Sequence, residues 1–238
     1  MPGVIKIGVR SYKDWEGVVY PQTLHGVQRL AYLAEFFDLV EINTSFYRPI
    51  TPAMGKQWCR AVEAVNPRFL FTAKLYRAFT HSPISAVEST SAETIHATKA
   101  DERDAKAGFD SIASQGRLGA VLAQFPISFK CTDENKTYVE KLVAHFHIYQ
   151  WFAETNVRDR YDYLYSSDEL QRWKGRIEEV AAKTDVIFVV ANNHNLGKAA
   201  VNALELVHML SGKKVGAPAP LVASYPRLQE ITAGKLEV

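Results

Sequence analysis

The stretch Leu39-Val40-Glu41-Ile42-Asn43-Thr44-Ser45-Phe46-Tyr47 decides how this chain is read. Leu39 to Asn43 is a short, apolar, β-branched run that ends in a polar turn. That is the pattern of a strand buried on both faces. Such strands belong to parallel sheets whose faces are covered by helices. The same pattern recurs outward from it, at Val4–Val9, Phe69–Leu75, Leu118–Phe125 and Val186–Ala191. Helical spacing fills the intervals. It runs from Leu24 to Phe37, from Pro52 to Val65, within Ala92–Ala113, from Thr132 to His147, from Asp168 to Lys183 and from Ala199 to Leu210. Strands that alternate with helices predict a parallel α/β fold.

The spacing of the strands carries more. They begin near residues 4, 39, 69, 118 and 186. A strand–helix unit of an eight-fold barrel takes roughly 30 residues. The rhythm breaks between about His147 and Tyr165, where two helices follow one another with no convincing strand between them. A closed barrel would therefore lack about three central strand–helix units. Residues 1–212 read as a single barrel domain, and 213–238, opening on Gly216-Ala217-Pro218-Ala219-Pro220, as a C-terminal surface extension.

Composition excludes several classes. The 238 residues are long enough for a large core, and 47% apolar with 23% charged residues is ordinary for a globular protein. A formal net charge of +2 gives no indication of nucleic-acid capture through net charge. Cys59 and Cys131 lack metal-ligand spacing and read as two buried free thiols in a reducing compartment. The N-terminus lacks a secretory pattern and no apolar run approaches a membrane span, so a cytoplasmic protein is expected. There is no G-x-x-x-x-G-K-[ST] loop, no G-x-G-x-x-G after the first strand and no G-x-S-x-G elbow.

In parallel α/β folds the loops after the strands form the functional face. That rule selects the candidates. Glu41 places a carboxylate in a buried strand, where it needs a partner or chemical work. It is a general acid/base or half of a structural ion pair. Lys74, at the end of the third strand, is its natural partner, or a holder of an anion. His194 lies between Asn193 and Asn195 before a helix, where imidazole and amides could meet an anion or cap the helix. Catalytic roles therefore fall on Glu41, Lys74 and His194. Tyr12, Trp15, Asn43, Tyr47, His81, Gln124 and Asn193 are the candidate substrate-binding residues. The aromatics among them could stack a ring or form a hydrophobic lid. A metal site would need His81, His194 and Glu41 to converge, and no local spacing supports one. The sequence leaves any cofactor unknown.

The runs Lys13-Asp14-Trp15, Tyr20-Pro21, Val40-Glu41-Ile42-Asn43-Thr44-Ser45-Phe46-Tyr47, Phe69-Leu70-Phe71-Thr72-Ala73-Lys74 with Thr80-His81, Leu122-Ala123-Gln124-Phe125-Pro126, and Asn192-Asn193-His194 with Gly197 and Asn202 resemble the YecE-like family, domain of unknown function seventy-two. The resemblance covers about the first 145 residues and again Trp151 to about Leu210. It implies a TIM-type barrel and no established reaction. Two features depart from the family pattern. The loop after Gly8 is shorter, and the central segment, which carries further strands with charged ends, is absent. His147-Ile148-Tyr149-Gln150 runs directly into Trp151-Phe152-Ala153-Glu154, at the point where the strand rhythm breaks.

The expectation is a parallel α/β barrel that binds or transforms a small polar anionic ligand, a sugar or sugar phosphate, by acid–base chemistry. The alternatives are a nucleic-acid-binding or processing protein, with Tyr12, Trp15 and Tyr47 on bases and Arg10, Lys13 and Arg48 on phosphates, and a non-catalytic binding scaffold.

Overall fold

The computed structural model describes residues 3–10, 15–81, 97–146, 162–193 and 195–233. Strands β1 (Val4–Arg10), β2 (Leu39–Ile42), β3 (Leu70–Lys74), β4 (Leu118–Leu122) and β5 (Val186–Ala191) alternate with helices. The helices are α1 (Val27–Ala34), α2 (Pro52–Glu63), α3 (Lys99–Ala113), α4 (Asp133–Phe146), α5 (Ser167–Ala181), α6 (Lys198–Ser211) and α7 (Ala219–Ser224). The chain forms two compact units. The first comprises Met1–Glu41, Ala61–Phe69 and Thr155–Val238, and the second Ile42–Arg60 and Leu70–Glu154.

In the first unit β1 is central, with β2 on one side and β5 on the other, both parallel to it. The registers are Gly8↔Leu39 to Arg10↔Glu41, and Val4↔Val186 to Val9↔Ala191. A Cβ on Gly8 would lie 2.1 Å from the Leu39 carbonyl oxygen, so only glycine lets the two strands approach there. Helix α6 packs on β1 and β5, and buries every residue from Ala199 to Leu206. Helix α5 begins with a capping box. The Ser166 hydroxyl accepts from the Glu169 N–H while the Glu169 carboxylate accepts from the Ser166 N–H, satisfying two donors that a bare helix end leaves open.

In the second unit β3 pairs in parallel with β4, from Phe71↔Leu118 to Lys74↔Leu122. Helix α3 starts with a second capping box, Thr98 with Asp101. Its Gly108 comes so close to Ile50 that a Cβ would sit 2.2 Å from the Ile50 carbonyl. Phe79, Phe109 and Phe146 meet edge to face in the core of this unit.

Two expectations are corrected. The tail after Gly212 is not a surface extension. Leu221 and Leu228 are fully buried, Val215 bridges Thr232, and Arg227 pairs with Glu205 of α6, so the tail packs into the first unit. An apolar residue every few positions outweighs a Pro- and Gly-rich opening. The second correction concerns the cysteines: Cys59 is buried, but Cys131 is exposed. Among the described residues no helix is long and apolar enough to cross a membrane.

Candidate functional site

Register builds the strand-end cluster of the first unit. Arg10 closes β1 opposite Glu41 of β2, and because Val9 faces Ala191, Asn192 follows on the other side. The Arg10 Nε stands 3.6 Å from Glu41 Oε1, and its Nη1 donates a hydrogen bond to Asn192 Oδ1. Arg10 is 7% exposed and Glu41 8%. Taking both charges out of water costs several kcal/mol per ion, on the order of what their attraction returns. Such a pair is a poor means of stabilising a fold, and well suited to meeting a charged ligand at the carboxyl ends of parallel strands.

Behind it lies a chain of polar groups. Asn193 Nδ2 donates to the Tyr163 carbonyl at 2.6 Å and to Asn202 Oδ1 at 2.8 Å. Asn202 Nδ2 donates to Glu205 Oε2 at 3.0 Å, and Arg227 pairs with Glu205 Oε1 at 2.6 Å. Burial pushes the Glu205 carboxyl up, against the pull of Arg227 and Asn202. Beside this chain Lys198 and Asn195 both donate to Asp162 Oδ1, at 2.5 and 2.6 Å, and hold that carboxyl below its usual range, Lys198 the more strongly.

The second unit carries its own strand-end cluster. Lys74, at the end of β3 and 7% exposed, donates from Nζ to Gln124 Oε1 at 2.8 Å and lies 5.9 Å from the Phe46 ring centroid. Its backbone N–H donates to Ser45 Oγ, which itself donates to the Ile42 carbonyl. The turn Thr44–Phe46 is thereby tied to the end of β3. Phe46 meets His81 and Tyr47 edge-on, each at 5.3 Å. The His81 Nδ1 is 2.9 Å from the Thr80 hydroxyl.

Glu41 and Asn193 fall in the first cluster and its backing, and Lys74, Gln124, His81 and Tyr47 in the second. Asn43 is half-buried at the start of the Thr44–Phe46 turn, where its carbonyl accepts from the Phe46 N–H. Trp15 is fully buried against Tyr20, with 5.9 Å between ring centroids, so its ring belongs to the core and has no face open to a ligand. Tyr12 and His194 lie outside the described residues. The sequence assigns Arg10 only a phosphate contact in the nucleic-acid alternative, places Asn192 among the amides at the end of the fifth strand, and assigns no role to Asn202 or Glu205. Arg10 was findable as the last residue of β1. Asn202 and Glu205 are legible only as polar residues within the otherwise apolar run Ala199–Leu206 of α6.

The family model described as "Protein of unknown function DUF72" matches residues 7–155 and 149–225. The chain belongs to this family. UPF0759 protein YunF of Bacillus subtilis (strain 168) is 23% identical over 278 residues, covering 87% of this chain and 95% of that protein. A crystal structure of a DUF72 family protein from Thermotoga maritima is similar with a TM-score of 0.67 at 24% identity, over 87% of this chain and 99% of that one. One from Enterococcus faecalis gives 0.67 at 18%, over 87% and 96%. The fold is shared with these DUF72 structures, and the activity of the family is unknown by its own description.

Proposed function

We propose that this DUF72 protein binds a small polar anion, with sugar phosphates as the ligand class, at the ends of β2, β1 and β5, and that Glu41 moves a proton there. One observation carries the reading: a buried guanidinium–carboxylate pair, flanked by an amide, at the carboxyl ends of three neighbouring parallel strands. Arginine offers phosphate a planar fork of donors. An anion that takes those donors competes with Glu41 for Arg10. The released carboxylate can accept a proton from a ligand hydroxyl or C–H held against it. Asn192 then orients the neutral part of the ligand. The lysine–amide cluster of Lys74 and Gln124 in the second unit supports the anionic preference, being the same chemistry at another strand end.

The test is calorimetry and thermal shift with inorganic phosphate, ribose 5-phosphate and glucose 6-phosphate. A ligand at one hundred times its Kd adds about 2.7 kcal/mol of stability. For a chain of this length that raises Tm by roughly 5–10 °C. Arg10→Lys should weaken binding, because one ammonium replaces the fork. Glu41→Gln should keep phosphate binding and remove any turnover. A wild-type protein that none of these ligands stabilises would overturn the proposal.

We also read the fold as a TIM-type barrel short of about three central strand–helix units. The alternation of parallel strands and helices supports this, as does the family match in two blocks that share residues 149–155.

A further inference from the structure

We propose that Asn193, Asn202, Glu205 and Arg227 form a positioning chain through which the C-terminal turn sets the affinity of the Arg10 anion site; this rests on reading Arg10 as the anion anchor. The chain is continuous. Arg227, in the turn Pro226–Leu228, pairs with Glu205 Oε1 through Nε at 2.7 Å and Nη2 at 2.6 Å, and Nη2 also reaches the Tyr165 carbonyl at 3.3 Å. Glu205 Oε2 accepts from Asn202 Nδ2 at 3.0 Å. Asn202 Oδ1 accepts from Asn193 Nδ2 at 2.8 Å and from the Tyr165 N–H at 3.2 Å. The residue before Asn193 is Asn192, whose side chain accepts from Arg10.

Cost argues that the chain has a use. Asn202 is 2% exposed, and Asn193 and Glu205 are also buried. Asn202 and Glu205 sit three residues apart on one face of α6, within the run Ala199–Leu206 that is buried on every side. Apolar side chains would fill that face without desolvating an amide and a carboxylate. What the polar groups add is direction. An amide with both ends engaged keeps one orientation, and Asn193 held by its amide nitrogen fixes the backbone from which Asn192 faces Arg10. The tail after Gly212 thereby acts on a strand end it does not itself form.

The experiment uses the full chain and inorganic phosphate, with Kd measured by calorimetry at 15 °C. Asn202→Leu preserves approximate volume and removes the chain's middle. Arg227→Ala removes its outer end at a partly exposed position, and Arg227→Lys keeps a cation beside the buried Glu205. Leu221→Ala is the control, a buried tail residue outside the chain. Asn202→Leu and Arg227→Ala are expected to weaken phosphate about tenfold, as lost supporting partners do at other ligand sites. Arg227→Lys should recover much of the loss. Leu221→Ala should lower Tm and leave Kd unchanged. Wild-type affinity in Arg227→Ala, or an equal loss in Leu221→Ala, would overturn the positioning role. No phosphate binding by the wild type would overturn the anion site first, and this inference with it.

Discussion

The imidazole of His81 packs edge-on against Phe46 and meets the Thr80 hydroxyl, with Arg77 nearby. Burial of the ring, and then the Arg77 charge, hold its pKa below the ordinary 6.5. The unfolded ring therefore takes up its proton at higher pH than the folded one. The stability from keeping His81 neutral is present above pH 6.5 and is lost as pH falls through the folded pKa. An NMR titration should give a midpoint below 6.5 for His81. Arg77→Gln should raise it only part of the way, because burial is the larger cause. A wild-type midpoint at 6.5 or above would contradict this environment. At the same scale, the sequence singles out Glu41 because a carboxylate between Val40 and Ile42 in a buried strand needs either a partner or chemical work. Arg10 itself is findable as the end of β1, but its pairing with Glu41 is not, because that depends on the β1–β2 register, and one residue of slip would send Arg10 to the other face.

Strands and helices were legible from periodicity, and their ends less so. Leu118–Phe125 reads as one strand, but β4 stops at Leu122. The apolar count continues through Phe125, whose ring instead stacks on Phe129 at 4.1 Å. The helix within Ala92–Ala113 starts at Lys99, where the Thr98 capping box satisfies its first donors. Thr98→Ala should cost about 1 kcal/mol. That would show as a Tm lower by roughly 2–4 °C for a chain of this length. Gly8→Ala tests the element that builds the site. The added Cβ would collide with the Leu39 carbonyl, so β1 and β2 must part where Arg10 and Glu41 are set opposite each other. A destabilisation of about 1–3 kcal/mol is expected. Phosphate affinity should fall with it, measured well below Tm. Unchanged affinity would mean that the β1–β2 register does not set the anion site.

At the scale of the whole molecule, length is the informative quantity. The alignment with YunF spans 278 residues, and 87% of 238 is about 207, so about 71 aligned positions have no residue in this chain. That is two to three strand–helix units at roughly 30 residues each. The break in strand rhythm and the overlap of the two family blocks both fall between α4 and α5. Among the described residues, strand pairing within the second unit joins β4 to β3 alone. Beside β4 runs a groove of about 280 Å³, its wall mostly apolar (Phe109, Leu118, Val121, Phe146) but also carrying the charged Lys106 and Asp110. An apolar groove along such a strand is the surface on which a following strand and helix would pack. We expect the protein isolated from its own cells to carry that segment. Its intact mass would then exceed 26.7 kDa by about 8 kDa, at the mean residue mass of this chain. Peptide mapping would place the added residues between Phe146 and Asp162. A mass of 26.7 kDa would overturn this.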